Sequence, residues 1–478
     1  MLTIDKDTAE FLYEQVVGLI NTQVLNGTLR PGDRLPSLRN LSERLEISIP
    51  TVRQGYLELE RQGRIEARPK SGYFIKAKRQ NRLVSVKCKS SKPLIVHRKK
   101  LIDRVYDHLH QPKVLPLGIA NPSMARPATK TIHRAMKRVM SRTDSRSLGY
   151  APTYGEPGLR RLIAYRYLNQ GGSVDPGEVI ITNGAQEALT LALQSIAQKG
   201  DIIAVESPTY YGQLELIESL GMMALEIETC PVDGVNLEAL QHALNTHQVK
   251  ACIFSSAVSN PLGFVSSDSH REALTHLLED AGIPLIEDDV YGELVFDGRR
   301  PQPAQFFSRK GLVLTCSSFS KTAAPGFRTG WLLPGKFSDR CQQLKRAISC
   351  SSGLLQQLAI SEFITSGDYD RHLNRLRPVL KQNSERMIAS IETHFPTDTA
   401  ISRPQGGSVV WLELAGKVDS EVFFDGAMEI GISIVPGRIF SASDRYRNFI
   451  RMSFGHPWSD ELANGIEKLG HLAHQLAD

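Results

Sequence analysis

The chain has 478 residues, 41% of them hydrophobic and 23% charged, an ordinary globular composition with room for roughly three units of about 100–200 residues. No stretch reaches the ~18 uninterrupted apolar residues of a membrane span, and the opening MLTIDKDTAEFLYEQ carries acids without the apolar run of a secretory signal, which excludes membrane and exported classes and points to the cytoplasm. The net charge of +6 is uneven: residues 1–75 are balanced, whereas residues 76–104 hold eleven Lys and Arg against Asp103 alone, a basic band suited to a polyanion partner.

Residues 9–26 repeat apolar side chains near a 3.6 period and predict a helix, with Gly27 as its C-cap. Pro31-Gly32-Asp33 is a turn. Ser37 is placed to cap a short helix to about Leu45. After a tight connection at Ile47 and Ser48, Pro50 opens a third helix to about Gln62, with Gly63 at its end and Tyr56 and Leu57 toward the core. Residues 64–75 alternate around Pro69–Gly72 as a hairpin. Helix, helix, turn, helix and hairpin describe a winged helix-turn-helix over residues 1–76, although short helix pairs also occur as plain bundles. Residues 77–112 are polar, basic and weakly periodic, and read as a linker that either touches nucleic acid or is a solvated tether. From about residue 113, the runs EVIITNG, DIIAVESP, KACIFSS, IPLIEDD and GLVLTCSS alternate with helical stretches, which predicts a mostly parallel sheet covered on both faces.

Cys88, Cys230, Cys252, Cys316, Cys341 and Cys350 are scattered without C-x-x-C or zinc spacing, and His471 and His474 have nothing nearby to complete a site. No metal centre is expected.

The second helix of a helix-turn-helix enters the major groove with its leading residues. Here that end carries Ser48, Thr51 and Arg53. The run LRPGDRLPSLRNLSERLEISIPTVRQGYLELERQGRIEARPKSGYFI resembles the GntR class of bacterial regulators over about residues 9–76. The shared skeleton is PGDRLPS-x-R, T-V-R, Y-x-x-L, G-x-I and a terminal S-G-Y-F. The resemblance implies that Arg34, Ser37 and Arg39 contact phosphate or bases. Thr51 and Arg53 would read DNA, and Ser71 and Gly72 would sit in the wing. Many members carry Ser/Thr-Arg at the helix start where this chain has Ser48-Ile49-Pro50. Isoleucine cannot make the bidentate contact to guanine that arginine makes, though Ile49 could still touch a thymine methyl, so the departure bears on the base preference and not on DNA binding itself.

The larger part carries six pieces that are each common alone. SSFSKTAAPGFRTGW holds Lys321, which beside a cofactor can form a Schiff base with an aldehyde. Ser318 and Ser320 offer hydroxyls, and Arg328 a fork for a phosphate dianion. In IEDDVYGEL, Asp288 can pair with a pyridinium nitrogen and Tyr291 with a ring hydroxyl, or the stretch is simply an acidic strand end. Asn260-Pro261 is a turn, or a donor to that hydroxyl. TNGAQEAL places Gly184, Ala185 and Gln186 at a helix start with free amides for phosphate, a general α/β feature. Tyr210 in SPTYYG can stack on a flat ring or fill core. Arg451 in FIRMSFGH can clamp a carboxylate.

Together these pieces, with GYAPTYGEPGLR and PQGGSVVWLEL, resemble the class I/II aminotransferases of fold-type I over about residues 113–478. The resemblance implies pyridoxal phosphate as cofactor, with Lys321 as Schiff-base lysine and Asp288 on the pyridine nitrogen. Tyr210 would lie on the ring face, and Asn260 and Tyr291 on the ring oxygen. Ser318, Ser320 and Arg328 would hold phosphate, with Tyr150 reaching the neighbouring subunit's phosphate. Arg451 would take the substrate carboxylate. A GntR-type reader joined to this domain is the arrangement of the MocR subfamily. The expected class is α/β: a winged helix-turn-helix plus an α/β/α fold-type I domain, with a smaller α+β subdomain at about 345–478 and part of 113–150. The resemblance also implies double-stranded operator DNA, an amino-acid or amine effector, and a homodimer, domain-swapped in this subfamily. The competing reading is an active aminotransferase with an appended DNA-binding domain, since Lys321, Asp288 and Arg451 are all present.

Overall fold

The computed structural model describes residues 11–25, 28–61, 63–68, 71–76, 83–84, 92–96, 99–109, 114–122, 126–142, 149–255, 257–416 and 418–477. Gly27, Pro69 and Cys88 lie outside the described residues.

The N-terminal unit is built from α1 (Leu12–Leu25), α2 (Leu38–Leu45) and α3 (Ile49–Arg61), followed by the hairpin β1 (Ile65–Arg68) and β2 (Gly72–Ile75). Ser37 caps α2, its hydroxyl accepting the Asn40 amide at 3.2 Å. α1 and α3 pack so closely at Gly55 that an added Cβ would lie 2.9 Å from Val16 Cγ1. Val16, Ile20, Leu41, Val52, Tyr56, Leu59 and Ile65 form the core. Leu57 is only half-buried: one turn of α3 presents Tyr56 and Leu59 inward instead, which corrects the expected facing of Leu57. The chain before α2 extends the hairpin, with Gly32 N donating to Ile75 O at 2.8 Å and Leu35 N to Tyr73 O at 2.8 Å.

The larger part holds an eight-stranded sheet. Its strands are β3 (Ile180–Thr182), β4 (Ile202–Ser207), β5 (Met223–Cys230), β6 (Gly234–Val235), β7 (Val249–Phe254), β8 (Leu285–Asp288), β9 (Val313–Ser318) and β10 (Gly330–Leu333). The order is β3-β10-β9-β8-β7-β4-β5-β6. The central pairs β9-β8, β8-β7, β7-β4 and β4-β5 are parallel, while β10 runs against both neighbours. The five apolar runs picked out in the sequence supply β3, β4, β7, β8 and β9. Their side chains are buried on both faces, one against Leu189, Leu193 and Leu214, the other against Leu240, Leu274 and Leu278. A second sheet, β11 (Ala400–Ile401), β12 (Val409–Glu413), β13 (Val435–Pro436) and β14 (Phe449–Ser453), is ordered β11-β12-β14-β13 and antiparallel in every described pairing.

The segment expected to be a linker contains α4 (Lys99–Leu109), whose Ile102 and Val105 are each 1% exposed within the core. Before it, Val96 is fully buried and Leu94 exchanges both backbone hydrogen bonds with Ala224 of β5 at 2.9 Å. The basic composition hid this structure because three or four apolar side chains suffice to anchor a short segment to a core that is distant in sequence.

Candidate functional site

Side chains at the ends of β8 and β9, on β14, and at the first turns of two helices, α7 (Ala185–Ile196) and α8 (Tyr211–Ser219), form one cluster; α5 (Arg126–Arg142) and α6 (Pro157–Leu168) precede them in the chain. This is the carboxyl edge of a parallel sheet, where loops rather than strand residues face the open space.

Asp288 ends β8. Its Oδ2 accepts the Gln213 side-chain amide at 3.0 Å, while Oδ1 is buried with no hydrogen-bond partner. Burial pushes the Asp288 carboxyl up to about 6, against the lowering effect of Gln213, the Val290 amide and Lys321. Gln213 is fixed in turn by Thr209, whose hydroxyl donates to its Oε1 at 2.8 Å; both side chains are fully buried.

Lys321 donates from Nζ to the Ala120 carbonyl at 2.8 Å and lies 5.8 Å from the centre of the Tyr291 ring. Burial, and then the Arg451 and Arg328 guanidinium groups, lower its pKa to about 8 against the pull of Asp288. A sizeable fraction of this amine is therefore neutral near pH 7–8, the nucleophilic form. Tyr291 donates to the same Ala120 carbonyl at 3.3 Å. Arg451, 1% exposed on β14, donates to the Gly118 carbonyl at 2.6 Å and to Asn260 Oδ1 at 3.3 Å. Its guanidinium carbon lies 5.3 Å and 5.9 Å from the rings of Phe440 and Tyr211. Tyr210 stands at the start of α8, its ring 4.7 Å from that of Tyr211.

At the other end, Gly184 opens α7 with φ +82 and no side-chain cap. The positive φ favours glycine there, and a Cβ would displace the Arg328 guanidinium from its place against the helix start. Arg328 also donates to the Asn183 carbonyl at 3.3 Å. Ser318 Oγ accepts the Ser320 amide at 3.0 Å and donates to Ser320 Oγ at 2.8 Å, so the two hydroxyls are held together in one loop. The Ala185 and Gln186 amides belong to the same helix start, and the Gln186 side chain donates to the Gly212 carbonyl of α8 at 3.2 Å.

The structure thus brings Lys321, Asp288, Asn260, Tyr291, Tyr210, Arg451, Gly184, Ala185, Gln186, Ser318, Ser320 and Arg328 into one neighbourhood. Tyr150 stands apart, 90% exposed. Gln213, Thr209 and Ala120 escaped the sequence reading. Gln213 lies three residues after Tyr210, on the same face of α8, and that spacing was its one available signal.

These residues fit pyridoxal phosphate. The orphaned Asp288 Oδ1 matches a protonated ring nitrogen, and the Gly184–Arg328–Ser320 cradle matches a dianion beside free helix amides. Among the described residues no cluster of His, Cys, Asp or Glu could hold a metal, and no helix is long and apolar enough to cross a membrane.

On the N-terminal unit, Arg53 is exposed on α3, and Ile49 beside it is 46% exposed. Ser48 and Thr51 are less free than expected: their hydroxyls lie 2.7 Å apart, and Ser48 Oγ accepts the Thr51 amide at 3.3 Å as the cap of α3. Arg39 pairs with Glu43 at 3.1 Å, and the Arg34 guanidinium lies beside Gly72 in the wing, 3.4 Å from where a Cβ would be.

Residues 112–469 match the family of class I and II aminotransferases, and residues 12–75 match the gntR family of bacterial regulatory proteins. Two uncharacterized HTH-type transcriptional regulators of Escherichia coli K12, YjiR and YdcR, are each 34% identical to this chain, over 98% and 97% of it and 99% of each relative. The chain belongs to the MocR subfamily of GntR regulators. Among solved structures, this MocR chain is similar to LysN, the α-aminoadipate aminotransferase of Thermus thermophilus (TM-score 0.71, 24% identity, 80% of this chain and 99% of that one). It is also similar to the kynurenine aminotransferase of Pyrococcus horikoshii (TM-score 0.73, 24% identity, 78% and 94%). At that identity the likeness establishes the fold-type I architecture of the MocR larger domain.

Proposed function

We propose that this protein is a pyridoxal-phosphate-dependent, DNA-binding transcriptional regulator. One observation carries the reading: a GntR-type reader and a cavity that fits the cofactor stand on one chain, and full-length relatives named as regulators share both parts.

When bound, the cofactor supplies an electron sink for an amino compound. The chain's residues would do the rest. Lys321 provides the amine that anchors it, Asp288 keeps the ring nitrogen protonated, and Gly184, Ala185, Ser320 and Arg328 hold the phosphate. Tyr210 packs on the ring face, and Asn260 and Tyr291 hold the ring oxygen. Arg451 awaits a carboxylate, which makes an amino acid the favoured effector. The exposure of Tyr150 supports a homodimer in which it completes the neighbouring site, domain-swapped as in the subfamily. Two readers on one dimer raise the local concentration for a second half-site. Arg53, Thr51, Arg39, Arg34 and Ser37, with the wing residues Ser71 and Gly72, would meet operator DNA, in the cytoplasm.

The visible spectrum with added pyridoxal phosphate tests the first half. A band lost on borohydride reduction and absent in Lys321→Ala is expected, and no band in the wild type overturns it. Footprints with and without cofactor and amine test the second half, and identical footprints reject dependence of DNA binding on the cofactor. A second reading, transamination as an activity in its own right, is favoured by the intact set of Lys321, Asp288 and Arg451, and steady exchange between amino and keto acids would establish it.

A further inference from the structure

The turn between β3 and α7 is held by side chains from three directions. Asn183 presents its carbonyl to Arg328 at 3.3 Å, and its amide donates to Glu187 Oε2. The Thr182 hydroxyl donates to the Gly184 carbonyl at 2.9 Å. Gly330 of β10 comes so close that an added Cβ would lie 2.9 Å from the Ala185 nitrogen. Glu187 is the third residue of α7, so its carboxylate stands in the first turn of the helix whose free amides form the phosphate cradle. A negative charge there favours the helix but opposes a bound dianion.

That carboxylate has a dedicated partner. Lys345, on the helix Ser338–Ile348, is fully buried and donates from Nζ to Glu187 Oε1 at 3.2 Å and to Oε2 at 3.0 Å. It also donates to Ser352 Oγ at 3.0 Å, and Ser352 Oγ reaches the Ile181 carbonyl of β3 at 3.5 Å. The three donors of the ammonium are thereby committed, so Lys345 acts on the turn through Glu187. Stability alone does not call for such a pair, because apolar replacement of a buried ion pair is commonly neutral or stabilising.

We propose that Lys345 is a positioning residue for the cofactor phosphate: it neutralises Glu187, so that this carboxylate grips the Asn183 amide without repelling the dianion. The inference rests on the cofactor reading proposed above. With Lys345 in place the pair carries no net charge, and Arg328 and the helix amides act on the phosphate unopposed. Without it, an uncompensated buried carboxylate stands at the mouth of an anion site, where low dielectric strengthens the repulsion.

The test uses the full chain and compares affinity for pyridoxal phosphate with affinity for pyridoxal, which lacks the phosphate. The ratio of the two isolates the cradle from the rest of the site. Lys345→Met, which leaves the Glu187 charge in place, is expected to lower the ratio by about tenfold or more and to change pyridoxal affinity by less than about threefold. Lys345→Met combined with Glu187→Gln removes both charges and is expected to restore the ratio to within about threefold of wild type. An unchanged ratio in Lys345→Met overturns the proposal. So does an equal loss for both ligands, the mark of a merely structural role, or a double variant that restores nothing. If melting curves show that Lys345→Met has lost its fold, Glu187→Gln is read alone. It keeps an acceptor for the Asn183 amide and removes the opposing charge, so the ratio should rise by about threefold, and an unchanged or lower ratio overturns the proposal. If the wild type binds neither aldehyde, the cofactor reading fails. Affinity for inorganic phosphate, lower in Lys345→Met than in wild type or equal to it, then decides whether Lys345 positions the turn.

Discussion

Gln213 donates its side-chain amide to one oxygen of Asp288, and the other oxygen of that carboxylate is buried without a partner. Because Thr209 occupies the Gln213 carbonyl, the amide cannot turn over without losing both contacts. Gln213→Leu is therefore expected to weaken pyridoxal phosphate binding by about tenfold or more, the effect of one lost hydrogen bond to a buried charge. A fluorescence titration checks it, and wild-type affinity would show that Asp288 needs no such support.

Glu206, at the end of β4, accepts the Ser255 amide at 2.9 Å, and burial pushes its carboxyl up to about 8, with Asp288 adding to the rise. A raised carboxyl contributes stability below its unfolded pKa and loses that contribution as pH climbs through the folded value. The loss accumulates between about pH 4.5 and pH 8. Glu206→Gln should thus raise the cofactor-free melting temperature at pH 8.5 and leave it nearly unchanged at pH 4. Equal shifts at both values would contradict the assignment.

Glu293 receives Arg166 at 2.9 Å, Arg377 at 3.1 Å and Arg300 at 3.5 Å in a buried cluster. Burial alone would raise its carboxyl, but Arg300 and Arg166 outweigh that and hold it low. Removing the charge leaves Arg300 with Asp289 and Arg166 with Asp370 but takes away the carboxylate that Arg377 pairs with, so Glu293→Gln is expected to cost about 1.5–3 kcal/mol. Denaturant unfolding measures it.

At Gly184, alanine would meet both an unfavourable φ and the Arg328 guanidinium. Gly184→Ala should reduce pyridoxal phosphate affinity by at least about tenfold through the displaced phosphate cradle. Far-UV circular dichroism should be unchanged, and affinity for free phosphate should fall in parallel.

In the reader, Ser48→Ala removes the cap of α3 and should cost about 1 kcal/mol of stability. Arg53→Ala, on the exposed face, should leave stability alone and lower the salt dependence of DNA binding by about one unit of slope. A melting curve paired with a salt titration separates the two roles.

The legible parts of this sequence were those where local chemistry and position coincide. Asp288 followed from a buried apolar run that ends in polar groups, and Lys321 from its serine- and arginine-bearing loop. Ser37 declared itself as a cap. What stayed hidden depended on partners far away in sequence. Gln213 reads as any helical glutamine until Asp288, 75 residues later, is folded beside it. Leu57 and Leu59 lie about 200° apart round α3, so the expected facing of Leu57 was an error of phase: Val52, Tyr56 and Leu59 share the buried face. α4 lies in a basic stretch whose charge outweighs the few apolar residues that pin it.

The stitched course of the chain through Leu83, Leu94 and Tyr106 sets where this protein can be cut. A fragment beginning at residue 113 would resemble a free-standing enzyme in length, yet it would leave Ala224 without its backbone partner and Tyr211 without its cover. Leu83 pairs with Ile401 of the smaller sheet, and Leu94 with Ala224 of the larger one. Exchange of readers between such proteins, in the laboratory or in descent, would preserve a working cavity only when the cut leaves residues 83–109 with the domain they bind.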